Sequence, residues 1–243
     1  MKKLLLAAVA ALFAIPALAA DLPTKAPQFQ PTLSLATGGF YFGAWTTGGI
    51  GSVQGSALAN LGPGVNPASV TAVEAGVGGL VGYLWNMPTC ATCFLAAEGW
   101  FGWQNINGNT VGFSFSGPLM AKERLLYGAD TGTIAAAFPQ LFPFPVPPFP
   151  PSLGNITNIK PYLYFALDED DVSLNVPGLA ANKLWSVSPE FGLGAKGQVS
   201  ASVAVDVFAG VKLPQKGVCV GSFAALGCAG MGTTAVVGMA LNF

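Results

Sequence analysis

The sequence predicts an all-β fold, an antiparallel transmembrane β-barrel of about eight strands, with ten as the alternative. Three observations predict it. The 243 residues are 52% hydrophobic and only 9% charged, with a mean hydropathy of +0.55, whereas soluble domains carry roughly 25% charged residues. No mature segment makes a good membrane helix. Several long segments instead alternate apolar and small or polar residues with period two. A chain that cannot face water on all sides has two ways to cross a bilayer, helices or a closed barrel, and the alternation selects the barrel.

Residues 1–20 read as a cleaved signal peptide. Lys2 and Lys3 precede the apolar stretch Leu4 to Ile15, and Ala17-Leu18-Ala19 supplies the small-residue cleavage site. The apolar run is too short for a bilayer core that needs roughly 20 residues. The mature chain then starts at Ala20 or Asp21, and with no cysteine at that point a lipid anchor is not expected. Export makes Cys90, Cys93, Cys219 and Cys228 disulfide candidates.

Ala75–Ala97 is the best helical candidate, uncharged for 23 residues, but Asn86-Met87-Pro88-Thr89 breaks it and glycine crowds its first half. Read with period two, Val73, Ala75, Val77, Gly79, Val81, Tyr83 and Trp85 share one face, and Glu74, Gly76, Gly78, Leu80 and Gly82 the other. Trp185, Val187, Pro189, Phe191, Leu193 and Ala195 alternate in the same way with Ser186, Ser188, Glu190, Gly192, Gly194 and Lys196. The pattern resumes after a turn placed at Gly197-Gln198 and runs from Val199 to Leu213, with Ala204 and Phe208 as apolar exceptions on the polar parity. Pro189 is awkward within a ladder and suggests a bulge. Thr233, Ala235, Val237, Met239, Leu241 and Phe243 form one face of the last segment. These segments exceed the 5–6 residues usual in soluble sheets and reach the 9–11 of a tilted membrane strand.

An alternating last strand ending in Phe resembles the C-terminal signal of bacterial outer-membrane barrels. Ala20-Asp21-Leu22-Pro23-Thr24-Lys25-Ala26-Pro27 and Phe40-Tyr41-Phe42-Gly43 resemble the mature start and first strand of small outer-membrane barrel proteins of alphaproteobacteria, OmpA-type and porin-like surface proteins without a peptidoglycan-binding domain. The resemblance covers both ends of the mature chain, and residues 118–183 match nothing in it. It implies a Gram-negative outer membrane, a periplasmic C-terminus, short periplasmic turns and long outer loops. It also implies that the barrel-assembly machinery reads Val237, Met239, Leu241 and Phe243.

On that orientation, residues 21–39 are a periplasmic leader, and 40–243 is the barrel with a Pro-rich loop near 132–158. The eight strands run over 40–53, 69–85, 94–105, 110–119, 122–131, 184–196, 199–213 and 232–243, with a turn near Asn107-Gly108. Residues 132–183 become one long outer loop containing FPQLFPFPVPPFPP, where dense proline favours extended polyproline geometry. Ile159–Leu167 and Val172–Val176 could pair around Asp168–Asp171, and a membrane-crossing hairpin there would give the ten-strand alternative. Outward aromatics sort into two girdles, with Tyr83, Trp85 and Phe243 at periplasmic ends and Phe101, Trp103, Phe113, Phe115 and Trp185 at the others.

Glu74, Glu98, Glu190, Lys196, Asp206 and Lys212 fall on the inward parity. They could line a charged channel, but about eight strands leave room only for side chains, so a salt-bridged interior is favoured over a pore. Cys90-Ala91-Thr92-Cys93 has the two-cysteine redox spacing but lies in a turn, so a structural disulfide is expected. Cys219 and Cys228 bracket the last outer loop and are expected to staple it. Asp168–Asp171 lacks calcium-loop spacing and reads as a solvated hairpin tip, so no metal or other cofactor is expected. With no His and a single Arg, neither an enzyme nor a nucleic-acid partner is expected. The function implied is a structural or surface role in the cell envelope, in contact with outer-membrane lipid and lipopolysaccharide. The alternatives are a small diffusion channel and an adhesin acting through the Pro/Phe-rich loop on a host or envelope partner.

Overall fold

In the computed structural model, period-two segments become the staves of one closed antiparallel barrel. The structure describes residue 35 and residues 37–54, 70–88, 90, 93–110, 113–129, 131–137, 139, 152–175, 182–214, 218–219 and 228–243. In chain order the elements are β1 (Gly39–Gln54), β2 (Val70–Asn86), β3 (Phe94–Thr110), β4 (Phe113–Gly128), a short helix α1 (Thr131–Ala137), β5 (Ser152–Leu153), β6 (Ile156–Asn175), β7 (Asn182–Ser200), β8 (Val203–Lys212), β9 (Val218–Cys219), β10 (Cys228–Met231) and β11 (Thr234–Asn242). Eight of these are staves, in the order β1-β2-β3-β4-β6-β7-β8-β11, and β11 pairs β1 to close the ring. The seam runs to the last residue, where the amide of Phe243 donates to the Phe42 carbonyl at 2.7 Å and that of Phe42 to the Phe243 carbonyl at 3.2 Å.

The ladders also fix the bore. Stepping from Gly43 through Leu80, Trp100, Lys122 and Asp168 reaches Ser188, whereas stepping the other way through Asn242 and Ala204 reaches Gln198, ten residues along the same strand. Eight strands with that stagger tilt by about 40° and enclose only enough room for side chains.

The burial pattern is that of a soluble protein turned inside out. Phe42, Val77, Leu125, Phe165, Leu193, Val207, Val237 and Leu241 all point outward and are exposed, while Glu98, Arg124, Lys196 and Asp206 point inward and are buried. An apolar outer face of this extent requires lipid as its solvent. Trp85, Phe243 and Phe40 are exposed at the end where the chain enters β1 and leaves β11, with Phe40, Tyr83 and Trp85 in ring contact at 4.9 and 4.6 Å. We call this the terminal end. Trp103 lies toward the far end and Phe101 nearer the middle, while Phe165 and Phe191 pair across β6 and β7 at mid-barrel. The far aromatic belt is therefore less sharply sorted than the terminal one. Trp185 lies in β7 and Phe113 and Phe115 in β4, but their side chains fall outside the described residues.

The strand count of eight holds, yet the segments differ from expectation in the middle of the chain. Residues 110–119 and 122–131 are not two strands. β4 runs through both, with register shifts on each side at Gly117-Pro118. Residues 156–175 are a full staff of the barrel rather than an outer loop or hairpin. Asn107 and Gly108 lie within β3. The β7–β8 turn is Ala201-Ser202, so Gly197, Gln198 and Val199 belong to β7.

Nor does Pro189 make a bulge. It faces the end of β8, where its carbonyl accepts the Leu213 amide at 2.8 Å, so its missing donor costs only the terminal rung of that ladder. Pro161 occupies the same situation at the end of β4, accepting from Ala129 at 3.2 Å.

Moving one strand has a topological consequence. The connection from Gly128 to Ser152, which carries the proline-rich stretch, leaves and re-enters the barrel at the terminal end. Residues 140–151 themselves lie outside the described residues. At the same end Cys90 and Cys93 form a disulfide inside the β2–β3 turn, and Cys93, Ala129 and Ile134 of α1 form a small buried apolar cluster. Cys219 and Cys228 are direct backbone partners at the far end.

Replacing Leu193 with Arg, on the lipid face near mid-height, should lower unfolding free energy in lipid vesicles by about 2–4 kcal/mol. The same change at Ser200, at the terminal rim, should cost less than about 1 kcal/mol. Urea titration of the folded barrel in vesicles measures both.

Candidate functional site

The only concentrated chemistry among the described residues lies in the lumen, where three layers stack along the axis. The layer nearer the terminal end contains Glu98, Arg124, Lys196 and Asp206. Lys196 Nζ bridges Glu98 Oε1 at 2.8 Å and Asp206 Oδ2 at 2.9 Å, and Arg124 Nη1 lies 3.2 Å from Glu98 Oε2 and 3.6 Å from Asp206 Oδ2. The Tyr41 hydroxyl donates to Glu98 Oε1 at 2.6 Å and Trp100 Nε1 to Glu98 Oε2 at 2.8 Å, while the Tyr162 hydroxyl donates to Asp206 Oδ1. Two cations meet two anions, so this layer is neutral.

Above it lies an aromatic layer. Trp45 stacks on Trp100 at 5.3 Å, Phe208 meets Trp100 edge-on at 5.5 Å, and Tyr164 meets Phe208 at 5.8 Å. The Arg124 guanidinium sits among these rings, 4.4 to 4.6 Å from the centroids of Phe208, Tyr164 and Trp100. Stacking and in-plane hydrogen bonding occupy different faces of a guanidinium, so it can do both at once.

The third layer, toward the far end, contains Glu74, Lys122, Asp168, Asp170, Glu190 and Lys212. Lys122 pairs with Glu190 at 2.7 Å and Asp168 at 3.3 Å. Lys212 pairs with Asp168 at 2.9 Å, Glu74 at 3.1 Å and Asp170 at 3.2 Å. Gln104 Nε2 donates to Glu74 Oε2 at 3.2 Å, and the Tyr164 hydroxyl ties this layer to the aromatic one by donating to Glu190 Oε1 at 2.7 Å.

Each ring needs room that an ordinary wall position would deny. A Cβ at Gly78 or Gly102 would lie 2.7 Å from the Trp45 ring, and one at Gly192 would lie 2.7 Å from the Tyr164 ring. Glycines on the inner face therefore make space for aromatic rings, and no described charged side chain of the two ionic layers exceeds 4% exposure. A water-filled bore would wet them. The lumen is a packed core.

All six charges placed inward by parity (Glu74, Glu98, Glu190, Lys196, Asp206 and Lys212) do face the lumen, and the structure divides them between the two ionic layers. Parity overlooked Lys122, Arg124, Asp168 and Asp170. The Asp168–Asp171 run is not a hairpin tip, because it lies within β6 with Asp168 and Asp170 turned into the lumen. A usable signal existed on β4, where Lys122 and Arg124 share a parity with Met120 and Leu126. Glu123 on the opposite, exposed parity blurred it. No group of three or more acidic, histidine or cysteine residues suited to hold a metal occurs among the described residues.

No family model matches the chain, and no curated protein is significantly similar to it. Several solved structures are similar to it. Neisserial surface protein A (NspA) matches with a TM-score of 0.41 and 13% identity over 84% of this chain and 95% of that one. The N-terminal β-barrel domain of Pseudomonas aeruginosa OprF matches with 0.35 and 12% over 83% and 99%. Ail, the attachment invasion locus protein of Yersinia pestis, matches with 0.36 and 9% over 85% and 99%.

If Arg124 holds the two lower carboxylates in place, Arg124→Met should destabilise the barrel by about 3–5 kcal/mol, because Glu98 and Asp206 lose a buried cation. Arg124→Met combined with Glu98→Gln should recover at least about 1 kcal/mol of that loss, as coupled partners do. A double-mutant cycle on urea unfolding tests this, and strict additivity would remove Arg124 from the network.

Proposed function

We propose that this chain is an integral outer-membrane barrel of a Gram-negative bacterium with a structural and surface role rather than a transport or enzymatic one. The observation that carries the proposal is the combination of a lipid-facing exterior with a lumen filled by buried ion pairs and stacked rings. Such a barrel anchors its loops and braces the membrane without opening a path through it. The signal-like first 20 residues support export by a cleaved signal peptide. The C-terminal alternation of Val237, Met239, Leu241 and Phe243, now the closing edge of the barrel, supports recognition by the barrel-assembly machinery.

With the C-terminus on the periplasmic side, the far ends of the strands face outward, where lipopolysaccharide and any host or envelope partner would be met. The adhesin alternative through the Pro/Phe-rich stretch is disfavoured, because both ends of that connection join the barrel at the periplasmic end. A small diffusion channel is disfavoured by the filled lumen.

The outer-membrane fraction should retain the protein after carbonate extraction, and unboiled protein should migrate differently from boiled protein on a detergent gel. In planar bilayers the purified barrel should show no sustained conductance. Steady unitary steps would overturn the sealed structural role in favour of a channel. Carbonate release with identical migration would overturn membrane insertion itself.

A further inference from the structure

We infer that the terminal mouth of the barrel is a clamp for the main chain of a peptide at one buried aliphatic residue, and that the chain's own Leu35 occupies it. Leu35 is fully buried and belongs to the same apolar cluster as the inward side chains Leu84, Phe94 and Ala204. Its amide donates to Gln198 Oε1 at 3.0 Å and its carbonyl accepts from Lys160 Nζ at 2.7 Å. Two inward side chains from neighbouring strands thus hold both polar groups of a single residue, fixing the register of the bound segment to that residue.

Lys160 is the telling member. It is 4% exposed, yet among the described residues no carboxylate pairs with it. Its partners are the Leu35 carbonyl, Asn86 Oδ1 at 3.0 Å and the face of the Phe94 ring at 5.8 Å. A buried ammonium needs acceptors, and a peptide carbonyl supplies one that a salt bridge supplies to every other lumen lysine. The entry path is equally specific. Gly38 and Gly39 take φ values of 72° and 133°, and a Cβ at Gly38 would lie 2.5 Å from the Leu84 carbonyl oxygen. Only glycine lets the chain turn from Leu35 into β1 this close to β2.

The clamp recognises backbone through Gln198 and Lys160 and side-chain type through the apolar cluster, so its ligand class is a peptide segment that presents one aliphatic residue to the mouth. Occupied by Leu35, it shuts water out of the Glu98–Asp206 layer at that end. This extends the sealed-lumen proposal and holds whichever way the barrel faces in the membrane.

The test uses the whole folded protein with its four native cysteines changed to serine and Ala204→Cys as reporter, labelled by a charged, water-soluble maleimide. The full-length chain should label slowly, and deletion of residues 21–37 should speed labelling roughly tenfold or more, as expected when a buried site becomes open to solvent. A synthetic peptide of residues 30–38 added to the deleted barrel should restore protection, and the same peptide carrying Leu35→Asp should not. If the deletion fails to give a heat-modifiable barrel, Leu35→Asp and Lys160→Met in the full-length chain take its place, and each should speed labelling. Equal labelling with and without the leader, or in both point variants, would overturn the clamp. So would a failure of the peptide to protect.

Discussion

The interaction on which the interior depends is the burial of the Arg124 guanidinium at the centre of the barrel. It is the only arginine in the chain. Its edge serves Glu98, Asp206 and the Tyr162 hydroxyl, which accepts from Nη2 at 3.0 Å, while its faces meet Trp100, Tyr164 and Phe208. A lysine could satisfy the carboxylates but not the rings, because an ammonium has no flat face to stack. Through Trp100 the guanidinium fixes Trp45, and through Tyr164 it reaches Glu190 and the far ionic layer. Three layers that could each pack several ways are thereby held in one arrangement, the specificity role best attested for buried polar groups.

That arrangement is possible only because the wall gives way to it. Eight strands staggered by ten residues leave a bore too narrow for opposing large side chains, and the lumen nevertheless holds two tryptophans, three tyrosines and two phenylalanines in its buried cluster. The conflict is resolved by glycine. Gly78, Gly102, Gly192 and others on the inner parity remove the Cβ atoms that the rings would strike. Much of the chain's high glycine content is therefore core geometry rather than turn chemistry.

The same fact decides how much could be read from the residues alone. β2, β7, β8 and β11 were legible because their outer faces are almost continuously apolar while their inner faces carry mostly small, polar or charged residues, which is strong contrast at period two. Contrast failed on β6, where inward Tyr162 and Tyr164 look no different from outward Leu163 and Phe165. It failed again where Asp168 to Asp171 seemed a solvated tip although alternate carboxylates point into the lumen. The expected division of β4 at Met120-Ala121 fails because inward Met120 and Leu126 disguise the inner parity. In a barrel this narrow the inside is a core, so inner positions obey packing as much as polarity. A pattern that assumes polar-in and apolar-out loses its grip where rings fill the bore. The ionic layers were partly visible for the same reason, since their members on β2, β3, β7 and β8 were placed inward by parity and those on β4 and β6 were not.

Dividing β4 and omitting β6 cancel in the strand count, so an even number with both termini at one end survives both errors. What does not survive is the end at which the connection between the two errors emerges. Inserting one staff between Gly128 and Asn182 reverses the side assigned to the proline-rich stretch, while Cys219 and Cys228 keep theirs. Strand parity and end assignment are thus separate inferences resting on different evidence. Parity follows from alternation within a segment and tolerates mistakes elsewhere. End assignment accumulates every boundary between the segment and the terminus, and a single missed strand inverts it. For a barrel whose interior is sealed, the loops are what remain available for contact. The placement of β6, more than the number of strands, therefore decides which stretches of this chain can meet the outside.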